Sequence, residues 1–361
     1  MTLNRRGSVT AFAIASCLVL SSCATGDPGA GGPGDPSLRG TLVGVGSSAQ
    51  GSAQEAWVAG FQTANVHANI NYSPDGSGAG RDAFRGGATE FAGSDRAFND
   101  KELAEDAFGS CVPGTGIIEL PAYISPITIA FNLDGIETLN MDAGTIASIF
   151  VGDITRWDDP AIGSLNDGVA LPAAPIEPIY RADTSGTTEN VTDYFASVAP
   201  AVWTHGAVDS WPVRVGTAAS QTSGVADALK NVGTIGYIDA SRSAGLGTVA
   251  LKVGDEFVPY SAEAAAALVS LSPLIPGRGA FDFAVDLDRE TTEAGTYPLV
   301  LISYVIACTE YRDKHSVELV KGYLDYVVSA AGQDAAASHA GSAPISADFR
   351  TKAIEAITAI K

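Results

Sequence analysis

From residue 41 to the C-terminus, short apolar runs rich in β-branched residues alternate with stretches of helical periodicity. Strands separated by helices become neighbours in a sheet through crossovers, so the alternation predicts an α/β fold with a largely parallel sheet. Strands are expected over 41–45, 70–72, 90–92, 117–122, 127–131, 176–180, 235–238 and 299–305. A helix is expected where Ala53, Trp57, Phe61 and Ala64 recur on one face, and others over 101–108, 143–150, 189–196, 225–231, 262–271, 317–330 and 349–360. No internal repeat interrupts the pattern.

The N-terminus has a different composition. Arg5 and Arg6 precede an apolar run from Ala11 to Leu20 that is too short to span a bilayer, so residues 1–22 are expected to be a cleaved secretory signal. Leu20-Ser21-Ser22-Cys23 resembles the bacterial lipobox, which would make Cys23 the lipidated first residue of the mature chain. Residues 24–37 are almost all Gly, Pro, Ala, Ser and Asp, and bury too little apolar surface to offset the entropy of ordering them. Residues 23–40 are therefore expected to tether a domain to the outer face of a bacterial cell membrane, with no membrane contact beyond the lipid.

The chain has 41 acidic and 21 basic residues, a net charge of −20. Such a surface repels nucleic acid and obliges any anionic ligand to be held by local donors. Once Cys17 leaves with the signal and Cys23 is lipidated, Cys111 and Cys308 remain. In an exported chain such a pair favours a disulfide, with two buried free thiols as the alternative. Two distant cysteines and the scattered His67, His205, His315 and His339 make no metal site, and no cofactor is expected. Trp57 and Phe61 read as core; Asp153, Asp158 and Asp159 read as turn and capping residues.

Three strand-to-helix junctions share one chemistry: Gly44-Val45-Gly46-Ser47-Ser48-Ala49, Asp75-Gly76-Ser77-Gly78-Ala79-Gly80, and Arg181-Ala182-Asp183-Thr184-Ser185-Gly186-Thr187-Thr188. Glycine lets the backbone approach a ligand, Ser and Thr supply hydroxyls and caps, and each loop delivers the unpaired amides of a helix start. Several such starts aimed at one point hold an anion without net positive charge.

At these loops the sequence resembles the phosphate-binding proteins of ABC-type phosphate importers, over nearly the whole mature chain. The likeness includes Phe91-Ala92-Gly93-Ser94-Asp95, Gly233-Thr234-Ile235-Gly236-Tyr237, and the run from Ile149 through Trp157-Asp158-Asp159-Pro160 to Ile162. The resemblance implies a two-lobed periplasmic-binding-protein fold of type II: two mixed, mainly parallel sheets flanked by helices and joined by two crossover strands. Lobe one would be 41–125 plus 296–361, and lobe two 126–295. Cys111 and Cys308 then share a lobe. Carried over by position, Ser48, Ser77, Ser185, Gly186 and Thr187 would be ligand donors, and Ala49, where the family often has Phe, would give its amide. Asp95 would accept a hydrogen bond from the ion, Arg181 would be the ligand arginine and Asp183 its partner. Thr184 stands where glycine is common.

The implied function is capture of inorganic phosphate by a monomer that hands it to an importer's permease and ATPase. Rival readings are a receptor for sulfate or molybdate, and a phosphate sensor or surface protein not coupled to transport. No nucleophile elbow or Ser-His-Asp arrangement supports an enzyme.

Overall fold

Residues 38–361 are described by the computed structural model; the expectations for residues 1–22 and Cys23 lie outside them. Gly40, the last residue of the expected tether, opens the first strand. Among the described residues no helix is long and apolar enough to cross a membrane.

The chain begins β1 (Gly40–Gly46), α1 (Gly51–Ala64), β2 (Ala68–Ser73), α2 (Ser77–Arg85), β3 (Phe91–Ser94) and a short α3 (Asp100–Ala104). Next comes β4 (Ile117–Phe131), one 15-residue strand where two were expected. Then follow β5 (Thr138–Met141), α4 (Ala143–Val151), α5 (Pro160–Gly163), β6 (Glu177–Arg181), α6 (Gly186–Val198), β7 (Thr217–Ala219), α7 (Gln221–Ala228), β8 (Thr234–Asp239), β9 (Gly247–Val253), β10 (Glu256–Val258) and α8 (Ala262–Leu271). The chain closes with β11 (Val300–Cys308), α9 (Val317–Val328), α10 (Ala330–Ala340) and α11 (Ala347–Thr358).

The strands form one hydrogen-bonded path, β2-β1-β3-β11-β4-β8-β6-β7, with β9, β5 and β10 branching from β4. Strands β2, β1 and β3 are parallel, as are β8, β6 and β7, while β11 and β4 run against their neighbours. β4 belongs to both halves. Ile117–Pro126 pairs with β11, and Ile127–Phe131 pairs with β8. Proline is tolerated within a sheet at bulges and interruptions of a ladder, and β4 uses both. Pro121 sits beside a bulge at which Ala122 is skipped, and Pro126 marks the change of partner. The chain returns through 272–299, which carries bridges but no regular strand.

Capping decides where the helices begin. Asp142, Ser185, Ser261, Ser329 and Ser346 each accept a first-turn amide of α4, α6, α8, α10 and α11, and a left-handed Gly152 ends α4. Ser329 also breaks the helix expected over 317–330 in two. Trp57 and Phe61 are core residues, buried against α9 and α10 through Tyr323 and the Gly332 carbonyl. All four histidines are exposed, and among the described residues no cluster fit to hold a metal is present. Cys111 and Cys308 are joined as a disulfide, with Cα atoms 5.2 Å apart.

Candidate anion-binding site

The three loops converge where the two halves of the sheet meet. β1 and β3 are parallel neighbours, so the turns leaving their C-terminal ends lie side by side, and Ser47 N–H donates to Gly93 O at 2.9 Å. The α2 loop joins them through Gly76 N–H to Gly46 O at 2.8 Å. Gly76 has φ +106, which L side chains rarely adopt, and a Cβ there would stand 2.7 Å from Asp183 Oδ2. The third loop crosses from the other half: a Cβ on Gly186 would stand 2.7 Å from Asp95 Cβ and 2.8 Å from Ser77 Oγ. Gly186 therefore lets the start of α6 rest on Ser77 and Asp95.

The main-chain amides at these helix starts that make no hydrogen bond among the described residues include those of Ser48, Ser77, Gly186 and Thr187. Ser77, Gly186 and Thr187 are buried. Buried backbone N–H groups are almost always paired, so such a set marks a place built for an acceptor. Ser77 Oγ accepts from Asp95 N–H at 3.1 Å, which leaves its own proton free to be donated. Ala49 differs from the expectation: its amide donates to Ser47 Oγ at 3.1 Å. The Thr187 hydroxyl likewise donates to Asp95 Oδ2 at 3.1 Å, so its amide is the open donor.

Arg181 closes β6 and is 3 % exposed. Its Nε donates to Asp183 Oδ1 at 2.8 Å and its Nη2 donates to Asp183 Oδ2, which leaves Nη1 without a partner among the described residues. Burial pushes the Asp183 carboxyl up, but the bonded Arg181 guanidinium and the Gln221 amide bring it below the ordinary carboxylate value. Tyr237 OH accepts from Arg181 N–H at 3.0 Å and stands 2.7 Å from Thr188 Oγ1. Thr184 finds its room through Gly78, where a Cβ would stand 2.6 Å from Thr184 Cβ. The Gly78 amide donates to Thr184 O.

Asp95 is 3 % exposed and ends a polarised chain. An ionised carboxylate only accepts, so Ser303 Oγ donates to its Oδ1 at 2.7 Å and takes Gln50 Nε2–H at 3.0 Å. Gln54 Nε2–H donates to Gln50 Oε1 and Tyr323 OH to Gln54 Oε1. The bulge opposite Ser303 helps aim this hydroxyl. A cavity of about 390 Å³ reaches Asp95, lined also by Arg96, Asn190, Arg278 and Arg289.

Sequence reasoning missed the residues that close the site across the halves. Ser48 Oγ meets Thr222 at the start of α7, and within the second half the neighbouring Gln221 N–H donates to Asp183 Oδ1 at 2.8 Å. Beside them, Arg96 pairs with Glu189 at 2.6 Å and Arg81 with Asp209 at 3.0 Å across the cleft, with Glu102 bonded to Arg96 at 2.6 Å. Burial pushes Glu189 up despite the two arginines.

The family model of the PBP superfamily domain matches residues 31–331. Phosphate-binding protein PstS 3 of Mycobacterium tuberculosis is 33% identical with 100% of both chains covered, and PstS 2 of the same organism is 32% identical with the same coverage. Among solved structures, a phosphate-binding protein from Stenotrophomonas maltophilia aligns with TM-score 0.65 at 19% identity, covering 88% of this chain and 94% of that one. A putative phosphate ABC transporter substrate-binding protein with bound phosphate, from Clostridium perfringens, aligns with TM-score 0.58 at 18% identity, covering 83% and 98%. With full-length relatives above 30% identity and a matching superfamily domain and fold, the chain belongs to the PstS family of phosphate-binding proteins within the PBP superfamily.

Proposed function

We propose that this protein captures one inorganic phosphate ion between its two halves and delivers it to an ABC importer as an extracytoplasmic solute-binding protein. The observation that carries the reading is the set of unpaired amides of Ser48, Ser77, Gly186 and Thr187 on loops that pack together, with the buried guanidinium of Arg181 on the third of those loops. In a chain of net charge −20, local dipoles and one oriented guanidinium supply the attraction that the overall field does not. Ser48, Ser77 and Ser185 add hydroxyls, and the Ala49 amide is shared with Ser47. Asp95 is the selecting residue: phosphate keeps a proton near neutral pH and can donate it to the carboxylate, whereas sulfate sets oxygen against oxygen.

The role is binding rather than catalysis. The lobes are taken as 41–125 with 296–361, and 126–295, which is supported by the change of partner along β4 at Pro126. The protein acts as a monomer held to the membrane through a lipid on Cys23, which an acyl group on that residue in the mass spectrum of the mature protein would confirm and an unmodified cysteine would refute.

Calorimetry on the mature protein, freed of endogenous phosphate, tests the ligand. Phosphate and arsenate should bind, and sulfate and molybdate should bind about 10⁴-fold more weakly, the discrimination expected of a site that requires a ligand hydrogen. Asp95→Asn should narrow that gap more than it weakens phosphate. Sulfate binding within about tenfold of phosphate in the wild type would overturn the assignment.

A further inference from the structure

Thr222 is 5 % exposed, the second residue of α7, and lies on the opposite half from Ser48. Its amide donates to Ser48 Oγ at 3.1 Å, and the two hydroxyl oxygens are 2.9 Å apart. A serine hydroxyl has two lone pairs and one proton. If Thr222 fills both lone pairs, with its N–H and its O–H, the Ser48 proton has one direction left, toward the anion. The neighbouring residue shows that this placement is imposed. Gln221 is one of two non-glycine residues with positive φ among the described residues, at +59. Such a conformation is strained for an L residue and persists where surroundings hold it. The holding contact is the Gln221 amide on Asp183, the carboxylate that also orients Arg181.

We infer that Thr222 is a positioning residue for phosphate capture: it reaches across the cleft to aim the Ser48 hydroxyl, so that this donor is completed only when the halves close. The inference rests on the phosphate reading above. α7 thereby gives the second half a hold on a ligand group of the first, and does so through the segment that steadies Arg181. Closure and donor alignment become one event.

The test is phosphate calorimetry on the mature chain and on Thr222→Val, Thr222→Ser, Ser48→Ala and the Ser48→Ala/Thr222→Val double variant, with melting temperatures without phosphate as a check of folding. Valine keeps the shape and the amide and removes the hydroxyl, so Thr222→Val should weaken phosphate about tenfold, the size of one hydrogen bond to a charge-bearing contact. Thr222→Ser should stay within about twofold of wild type. On the Ser48→Ala background the valine change should cost less than about twofold, because its target is gone. Thr222→Val binding like wild type, or losing the same factor with and without Ser48, would overturn the role of Thr222 alone. If valine disturbs the fold, loss of the Thr222→Ser rescue decides against the role in the same way. Failure of the wild-type protein to bind phosphate would instead bring down the functional reading and this inference with it.

Discussion

At the scale of single residues, Asp239 shows how burial writes itself into pH dependence. It ends β8 opposite Ile127, where β4 has just changed partners, and its Oδ1 accepts from Tyr123 OH at 2.9 Å and Ser241 N–H at 3.0 Å. Oδ2 is buried without a partner. Burial raises this carboxyl from an ordinary 3.8 to about 6, against the pull of its hydrogen bonds. Between those values the unfolded chain has released a proton that the folded chain keeps, so stability falls as pH rises through the window and is level on either side. At about 1.4 kcal/mol per pH unit the fall is on the order of 3 kcal/mol. Asp239→Asn should therefore gain stability relative to wild type between pH 4 and 7, read from urea midpoints; a gap that stays constant would show that Asp239 ionises freely when folded. The structure packs the loops carrying Ser77, Asp95, Arg181, Ser185 and Gly186 against one another, and those loops were legible without coordinates. Thr222 was not, because Ser-Gln-Thr-Ser-Gly carries no mark of the left-handed turn that swings it onto Ser48, and Ser303 was hidden because a bulge depends on two strands at once.

At the scale of elements, periodicity gave most strands and helices but not their continuity. Two strands were expected over 117–122 and 127–131, yet a bulge beside Pro121 and a change of partner at Pro126 are accommodated within one strand. Strands β5, β7 and β10 are three or four residues long, and the ladder rather than composition defines them. The disulfide is an element-level tie, fastening the segment after α3 to the end of β11 across 197 positions of sequence. Closing a loop of that length in the unfolded chain is worth up to about 5 kcal/mol in the chain-entropy model. Replacing Cys111 and Cys308 together by Ser should lower the stability measured in urea by about 2–5 kcal/mol. An unchanged midpoint would show that the bridge constrains nothing in the unfolded state.

At the scale of the whole molecule, two kinds of contact around the site join the halves. Ser48 with Thr222, Gly78 with Thr184, Asp95 with Thr187 and Ser52 with Ser241 are neutral or singly charged hydrogen bonds around the site. Arg81 and Arg96 set against Glu102, Glu189 and Asp209 form an ionic clasp beside it. Losing Arg96 would leave three acids around one arginine, so Arg96→Gln should favour the open form. Small-angle scattering should give a smaller radius of gyration with phosphate than without it, because ligand favours the state it binds better. Arg96→Gln should weaken phosphate about tenfold, one charged contact's worth, and high salt should shrink the difference between variant and wild type. Equal radii with and without phosphate would contradict closure.

The place of β11 in the sheet bears on the export proposed above. It is the last strand in the sequence, yet it lies between β3 and β4 and pairs with both. A polypeptide threaded outward from its N-terminus presents β1, β2 and β3 early, and β4 with them, while the strand that joins their edges is still inside. Until residues 300–308 emerge, two strand edges stand open to any other extended chain, and Cys111 waits for Cys308. On the export route proposed above, sheet order would set an interval of exposure during which a protective chaperone and a delayed oxidant would both serve the fold.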